Sequence, residues 1–113
     1  MHRQDLTRAE EEDGHVRAID DRGITALVDG AHVAVFLLGT GEVLAVQARD
    51  PFSGAAVLGR GVVGDVDGEP TVASPLYKQR FELRSGRCLD DPAVTLTTWE
   101  ARLRDGQLEV AVP

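Results

Sequence analysis

Residues 24–47, ITALVDGAHVAVFLLGTGEVLAVQ, decide the fold. Three apolar runs follow one another, separated only by Asp29-Gly30 and by Gly39-Thr40-Gly41. An Asp-Gly pair between two apolar runs signals a β-hairpin, because its tight turn needs positive φ at both central positions. Each run is too short for a typical helix and rich in Val, Ile and Phe, which suit a pleated surface. The expectation is an antiparallel meander. Upstream, His15–Asp20 (HVRAID) alternates with period two and leads into the turn DDRG. Downstream, residues 96–112 (LTTWEARLRDGQLEVAV) read as a closing hairpin. Its turn is Asp105-Gly106, and Thr98, Glu100, Arg102 and Arg104 alternate against Trp99, Ala101 and Leu103.

Between these two β-rich parts, residues 49–92 differ in texture. They hold four of the five prolines and much of the glycine, with short apolar pieces between. This stretch reads as a loop-rich subdomain of short strands inserted in the β frame, with turns at Asp67-Gly68 and Ser85-Gly86. Residues 1–14 are polar, carry the acidic run Glu10–Asp13, and read as a lead-in with a short helical turn at Thr7–Glu12. Residues 15–113 read as one domain, and 113 residues suit one domain rather than two.

Composition narrows the function. The net charge is −7 and the isoelectric point about 4.8, a field that repels a phosphate backbone, so nucleic acid is not an expected partner. No apolar run approaches the roughly 18 residues that cross a membrane, and the N-terminus lacks the apolar segment of a secretory signal. A cytoplasmic location is expected. Hydrophobic residues make up 42% of the chain but aromatic ones only 4%, so aliphatic side chains must build most of the core.

Chemistry-bearing residues are sparse. Cys88 is the single cysteine, so no internal disulfide can form. His2, His15 and His32 lie far from it, without the close spacing of a zinc or iron site. Gly59–Gly64 (GRGVVG) spells G-x-G-x-x-G, but a turn (DVDGEP) follows where a dinucleotide site needs a helix N-terminus. Asp65-x-Asp67-Gly68 lacks the later ligands of a calcium loop and reads as a hairpin turn. Asp20-Asp21 and Asp90-Asp91 are paired acids in predicted turns, where aspartate bonds its own backbone. Arg84 and Arg87 lie just before Cys88 and could lower its pKa, although a buried, inert thiol is the simpler reading. Lys78, Arg80, Arg84 and Arg87 make one basic stretch in an acidic chain, either a solvated face or a docking patch. Nothing resembles the nucleophile elbow of a hydrolase.

The middle stretch resembles a Rieske iron–sulfur domain. Such domains carry C-x-H followed by Gly, then C-P-x-H-x-x-x-F-x-L-x-x-G. Residues 74–86, SPLYKQRFELRSG, keep Pro75, Phe81, Leu83 and Gly86 of the second pattern, with Ser74 and Tyr77 at the Cys and His positions. Residues 50–54, DPFSG, put Asp50 and Phe52 at the Cys and His positions of the first. Four substituted positions cannot supply two thiolates and two imidazoles.

The phrases RDPFSGA, RGVVGD, ASPLYKQRFELRSGRCL and VAVFLL…GEVLAVQ are similar to small subunits of assimilatory NAD(P)H-dependent nitrite reductases, over roughly His15 to the C-terminus. The resemblance implies an all-β fold of stacked antiparallel sheets with a small inserted subdomain. It implies a partner too: a large subunit carrying FAD, an iron–sulfur cluster and sirohaem, which reduces nitrite to ammonia. This chain would then be an accessory subunit with no cofactor and no catalytic activity of its own. It would dock through the tips at residues 50–54 and 74–80, using Phe52, Tyr77, Lys78 and Arg80. The alternative is an electron-transfer protein that holds a [2Fe-2S] cluster through atypical ligands, drawn from Asp50, Ser74, Tyr77 and Cys88. A stand-alone hydrolase or small-molecule binder is a third class, which no residue pattern supports.

Overall fold

The computed structural model describes residues 2–5 and 23–112. Its strands are β1 (His2–Asp5), β2 (Gly23–Val28), β3 (Ala31–Leu37), β4 (Val43–Gln47), β5 (Val62–Val66), β6 (Glu69–Ala73), β7 (Arg80–Glu82), β8 (Thr98–Trp99), β9 (Ala101–Arg104) and β10 (Gln107–Val112). A 3-10 turn at Leu58–Arg60 precedes β5.

The meander expected over residues 24–47 is present. β2, β3 and β4 pair antiparallel in sequence order, with Thr25 opposite Ala34 and Val35 opposite Ala45. The β2–β3 turn has Asp29 at φ 50° and Gly30 at φ 84°, the positive values that a two-residue hairpin demands. Asp67-Gly68 and Asp105-Gly106 repeat this conformation at the β5–β6 and β9–β10 turns.

Three sheets stack, ordered β1-β10-β9, β2-β3-β4-β8 and β5-β6-β7. The middle sheet explains why residues 33–37 are apolar without alternation: β3 is buried on both faces. Val33, Val35 and Leu37 join Ala26, Val28, Val43 and Ala45 in packing against Leu108 and Val110 of β10. Ala34 and Phe36 face the other way, where Val46, Leu58, Val72, Phe81, Leu83, Cys88 and Leu96 complete a second core. The inserted stretch therefore folds as a small sheet on the outer face of the frame. Burying Phe36 or Phe81 fully is worth roughly 1.5–3 kcal/mol each.

Two expectations need correction. The closing hairpin is not one ladder: β8 pairs with β4, whereas β9 pairs with β10. The chain bends at Glu100, so that Trp99 lies opposite Ala45 and Leu103 opposite Leu108. The polar lead-in is also not wholly outside the sheets, because His2–Asp5 pair with residues 109–112 as β1. The helical turn expected at Thr7–Glu12, the strand expected at His15–Asp20 and the Asp20-Asp21 pair lie outside the described residues.

Candidate functional site

The two loops of the inserted stretch sit side by side, and local geometry sets each one. In the first, the Asp50 N–H donates to the Ala55 carbonyl at 2.8 Å and the Gly54 N–H returns to the Asp50 carbonyl at 2.7 Å. The Arg49 guanidinium braces the far side by donating to the Gly54 carbonyl. In the second, the Lys78 N–H donates to the Ser74 carbonyl at 3.0 Å and the Ser74 N–H to the Gln79 carbonyl at 2.9 Å. That closure sets Lys78 at φ 66°.

Asp50 and Ser74 join the loops. Both are buried, at 0% and 1% exposure. The Ser74 hydroxyl donates to Asp50 Oδ2 at 2.6 Å, while Asp50 Oδ1 accepts the Phe52 N–H at 2.9 Å. Ser74 Oγ also accepts the Leu76 N–H at 3.3 Å. A hydrogen-bond chain thus runs from the backbone of one loop to the backbone of the other. Buried polar groups in such a chain reinforce one another and are costly to leave unmade.

The remaining two positions diverge. Phe52 turns inward, its ring centroid 6.2 Å from that of Phe81 at a 43° tilt, and packs against the second core. Tyr77 faces solvent at 59% exposure, beside Leu76 at 52%. Leu76 escaped the sequence reading. Its only signal was an apolar residue between Pro75 and Tyr77 at a turn apex, where none of the described residues covers it.

This donor set does not fit a [2Fe-2S] cluster. The oxygens of Asp50 and Ser74 are engaged with each other and with loop backbone, Phe52 has no donor atom, and Tyr77 points outward. Cys88 lies outside both loops at 1% exposure, bridged to Phe81 and packed in the second core. Among the described residues, no three His, Cys, Asp or Glu side chains gather as a metal site.

The basic stretch is largely neutralised within the chain. Arg80 pairs with Asp90 at 3.1 Å, Arg87 with Glu82 at 3.4 Å, and Arg84 with both Glu42 at 2.8 Å and Glu69 at 3.1 Å. The Arg84 hydrogen bond holds the Glu42 carboxyl below its ordinary range, and that of Arg80 does the same for Asp90. Lys78 has no acidic partner among the described residues. Three non-glycine residues at positive φ are the aspartates of Asp-Gly turns, and Lys78 is the fourth. A left-handed lysine, with no short side chain to bond its own backbone, carries strain of roughly 1–2 kcal/mol.

The other candidates resolve as structure. Gly59 sits within the 3-10 turn and Gly61 ends it, and the chain then enters a strand, not a helix. Asp65 Oδ2 accepts the Gly68 N–H at 3.2 Å, and Asp91 Oδ1 the Ala93 N–H at 3.2 Å, as turn aspartates do. His32 is exposed on β3. A cleft of about 430 Å³ opens between residues 38–42 and the β5–β6 hairpin, but its cation, Arg84, is already held by two glutamates.

Comparison with known proteins identifies the family of the fold. Residues 15–111 match the family model of the Rieske-like [2Fe-2S] domain. The chain is 40% identical over 89 residues to the nitrite reductase (NADH) small subunit of Salmonella typhimurium, covering 78% of this chain and 82% of that one. A Mycobacterium tuberculosis crystal structure assigned as an NADH-dependent nitrite reductase small subunit superposes with a TM-score of 0.80. It is 48% identical, over 84% of this chain and 86% of that one. A matching segment, 41% identical over 88 residues, also occurs in the nitrite reductase [NAD(P)H] large subunit of Klebsiella oxytoca. It spans 78% of this chain and only 9% of that protein.

Proposed function

Because this chain belongs to the Rieske-like [2Fe-2S] domain family, and within it to the nitrite reductase (NADH) small subunits, we propose that it is the accessory, non-catalytic subunit of a cytoplasmic NAD(P)H-dependent nitrite reductase. It docks on the large subunit and stabilises it. FAD, the iron–sulfur cluster and sirohaem belong to that partner, which reduces nitrite to ammonia in nitrate assimilation. This chain holds none of them.

The observation that carries this reading is the hydrogen bond from Ser74 to Asp50. The loops of a cluster domain are kept, yet the side chains at two ligand positions are spent on each other. An electron-transfer protein with atypical ligands would need those same oxygens free. The Klebsiella oxytoca protein supports the choice of partner, since a segment like this chain is there part of the large-subunit polypeptide itself.

Co-purification tests the proposal. The large subunit should retain this chain through gel filtration at moderate salt, and should lose nitrite-dependent NAD(P)H oxidation or stability without it. A large subunit that elutes alone and is fully active alone would overturn the reading. Iron analysis after anaerobic purification tests the cofactor assignment, with a colourless, iron-free small subunit expected.

A further inference from the structure

Three features of the second loop are not used for packing or ion pairing among the described residues. Leu76 and Tyr77 are exposed side by side at the apex. Lys78, beside them, holds a left-handed backbone that glycine or asparagine would adopt with less strain. Its ammonium is without an acidic partner among the described residues, whereas Arg80, Arg84 and Arg87 of the same stretch are each paired. Backbone strain persists where the surrounding structure enforces it, and here the enforcing contacts are the Lys78 and Ser74 backbone hydrogen bonds, set on a serine that Asp50 fixes from below.

We propose that the Asp50–Ser74 hydrogen bond does mechanically what a bridging cluster does in a ligand-bearing domain: it ties the loops together, so that Leu76, Tyr77 and Lys78 stand as a preformed knob for an apolar pocket with an acidic rim on the large subunit. This rests on the docking reading above. Charge supports the acidic rim. In a chain of net charge −7, the Lys78 ammonium at the exposed apex is not neutralised by any acid among the described residues, so the tip favours an acidic contact. Pre-organisation supports the tie. A loop that fills its binding-competent shape only part of the time binds more weakly by that fraction.

The test is the association of this chain with purified, cofactor-loaded large subunit, followed by surface plasmon resonance. Ser74→Ala and Asp50→Ala should each weaken binding about tenfold, mainly through slower association. The double variant should bind no worse than either single one, because one tie is lost once. Asp50→Asn, which can still bond both Ser74 Oγ and the Phe52 N–H, should stay within about threefold of the parent. Lys78→Gly should weaken binding about tenfold and flatten its salt dependence, with a melting temperature equal to the parent's or higher. Weaker binding at an undiminished melting temperature separates docking from folding, and it holds even if Ser74→Ala proves too unstable to assay.

If Ser74→Ala and Asp50→Ala are folded and bind like the parent while Lys78→Gly and Tyr77→Ala bind weakly, the tie is refuted and docking through the tip survives. If Lys78→Gly and Tyr77→Ala bind like the parent, the knob is refuted. If the parent itself does not bind, the docking reading fails with it.

Discussion

The two loops started from equivalent positions in the family pattern and ended as opposites. The first is drawn into the protein, with Asp50 fully buried and Phe52 stacked on Phe81. The second stands out, with Leu76, Tyr77 and Lys78 at its apex. When the donors that a cluster requires are replaced, the loops need not share one fate. The aromatic ring of Phe52 fills space and anchors its loop, while Tyr77 of the other loop stays in solvent. Both tips were expected to meet a partner; the structure half-buries Phe52 against Phe81 and leaves Tyr77 and Lys78 exposed.

The severest way to break this contrast is to remove what the first loop leans on. Phe81→Ala should lower stability by about 3–5 kcal/mol, read from the urea midpoint, because it opens a cavity in the second core beside Phe52. Ser74→Ala should cost about 1–3 kcal/mol by leaving a buried carboxylate oxygen unpaired. A loss near zero would mean that water replaces the hydroxyl. Phe52→Ala should cost about 1–2 kcal/mol, from the ring contact with Phe81 and the half-buried apolar surface lost with it. If Phe52 were instead a presenting residue, that substitution would spare stability and weaken association.

Tyr77→Ala should change stability by less than about 0.5 kcal/mol while weakening association with the large subunit. Acid sharpens the contrast least. Glu42 and Asp90 have carboxyl groups held below their ordinary values by Arg84 and Arg80. Their contribution is present above those ordinary values and is lost as pH falls through the lowered ones. The urea midpoint should therefore decline gently below about pH 4, and Glu42→Gln should reduce the slope. Both groups lie at the solvent-exposed surface, so added salt should shrink the effect.

The frame was legible because its signals are local. Asp29-Gly30 and Asp105-Gly106 name their own turns, and the run from Val33 to Leu37 has the composition of a strand covered twice. The bend at Glu100 was not legible, since one alternating pattern serves a strand that changes sheets as well as one that does not. The four positions at residues 50, 52, 74 and 77 came from the resemblance to the Rieske pattern. The hydrogen bond between two of them was not legible, because Asp50 and Ser74 are 24 residues apart and only the fold brings them together. Arg80 illustrates the same limit: the sequence shows its charge, and only the structure shows that Asp90 has taken it up.

The double burial of β3 has a consequence for how the molecule comes apart. Val33 and Val35 belong to one core, and Ala34 and Phe36 to the other, so a single five-residue segment is a party wall between two compartments. Neither compartment can melt without exposing one side of that wall. The inserted sheet should therefore not peel away as an independent unit. Its amide protons should exchange with solvent through the same global opening as those of the frame, with the slowest exchange of all along β3.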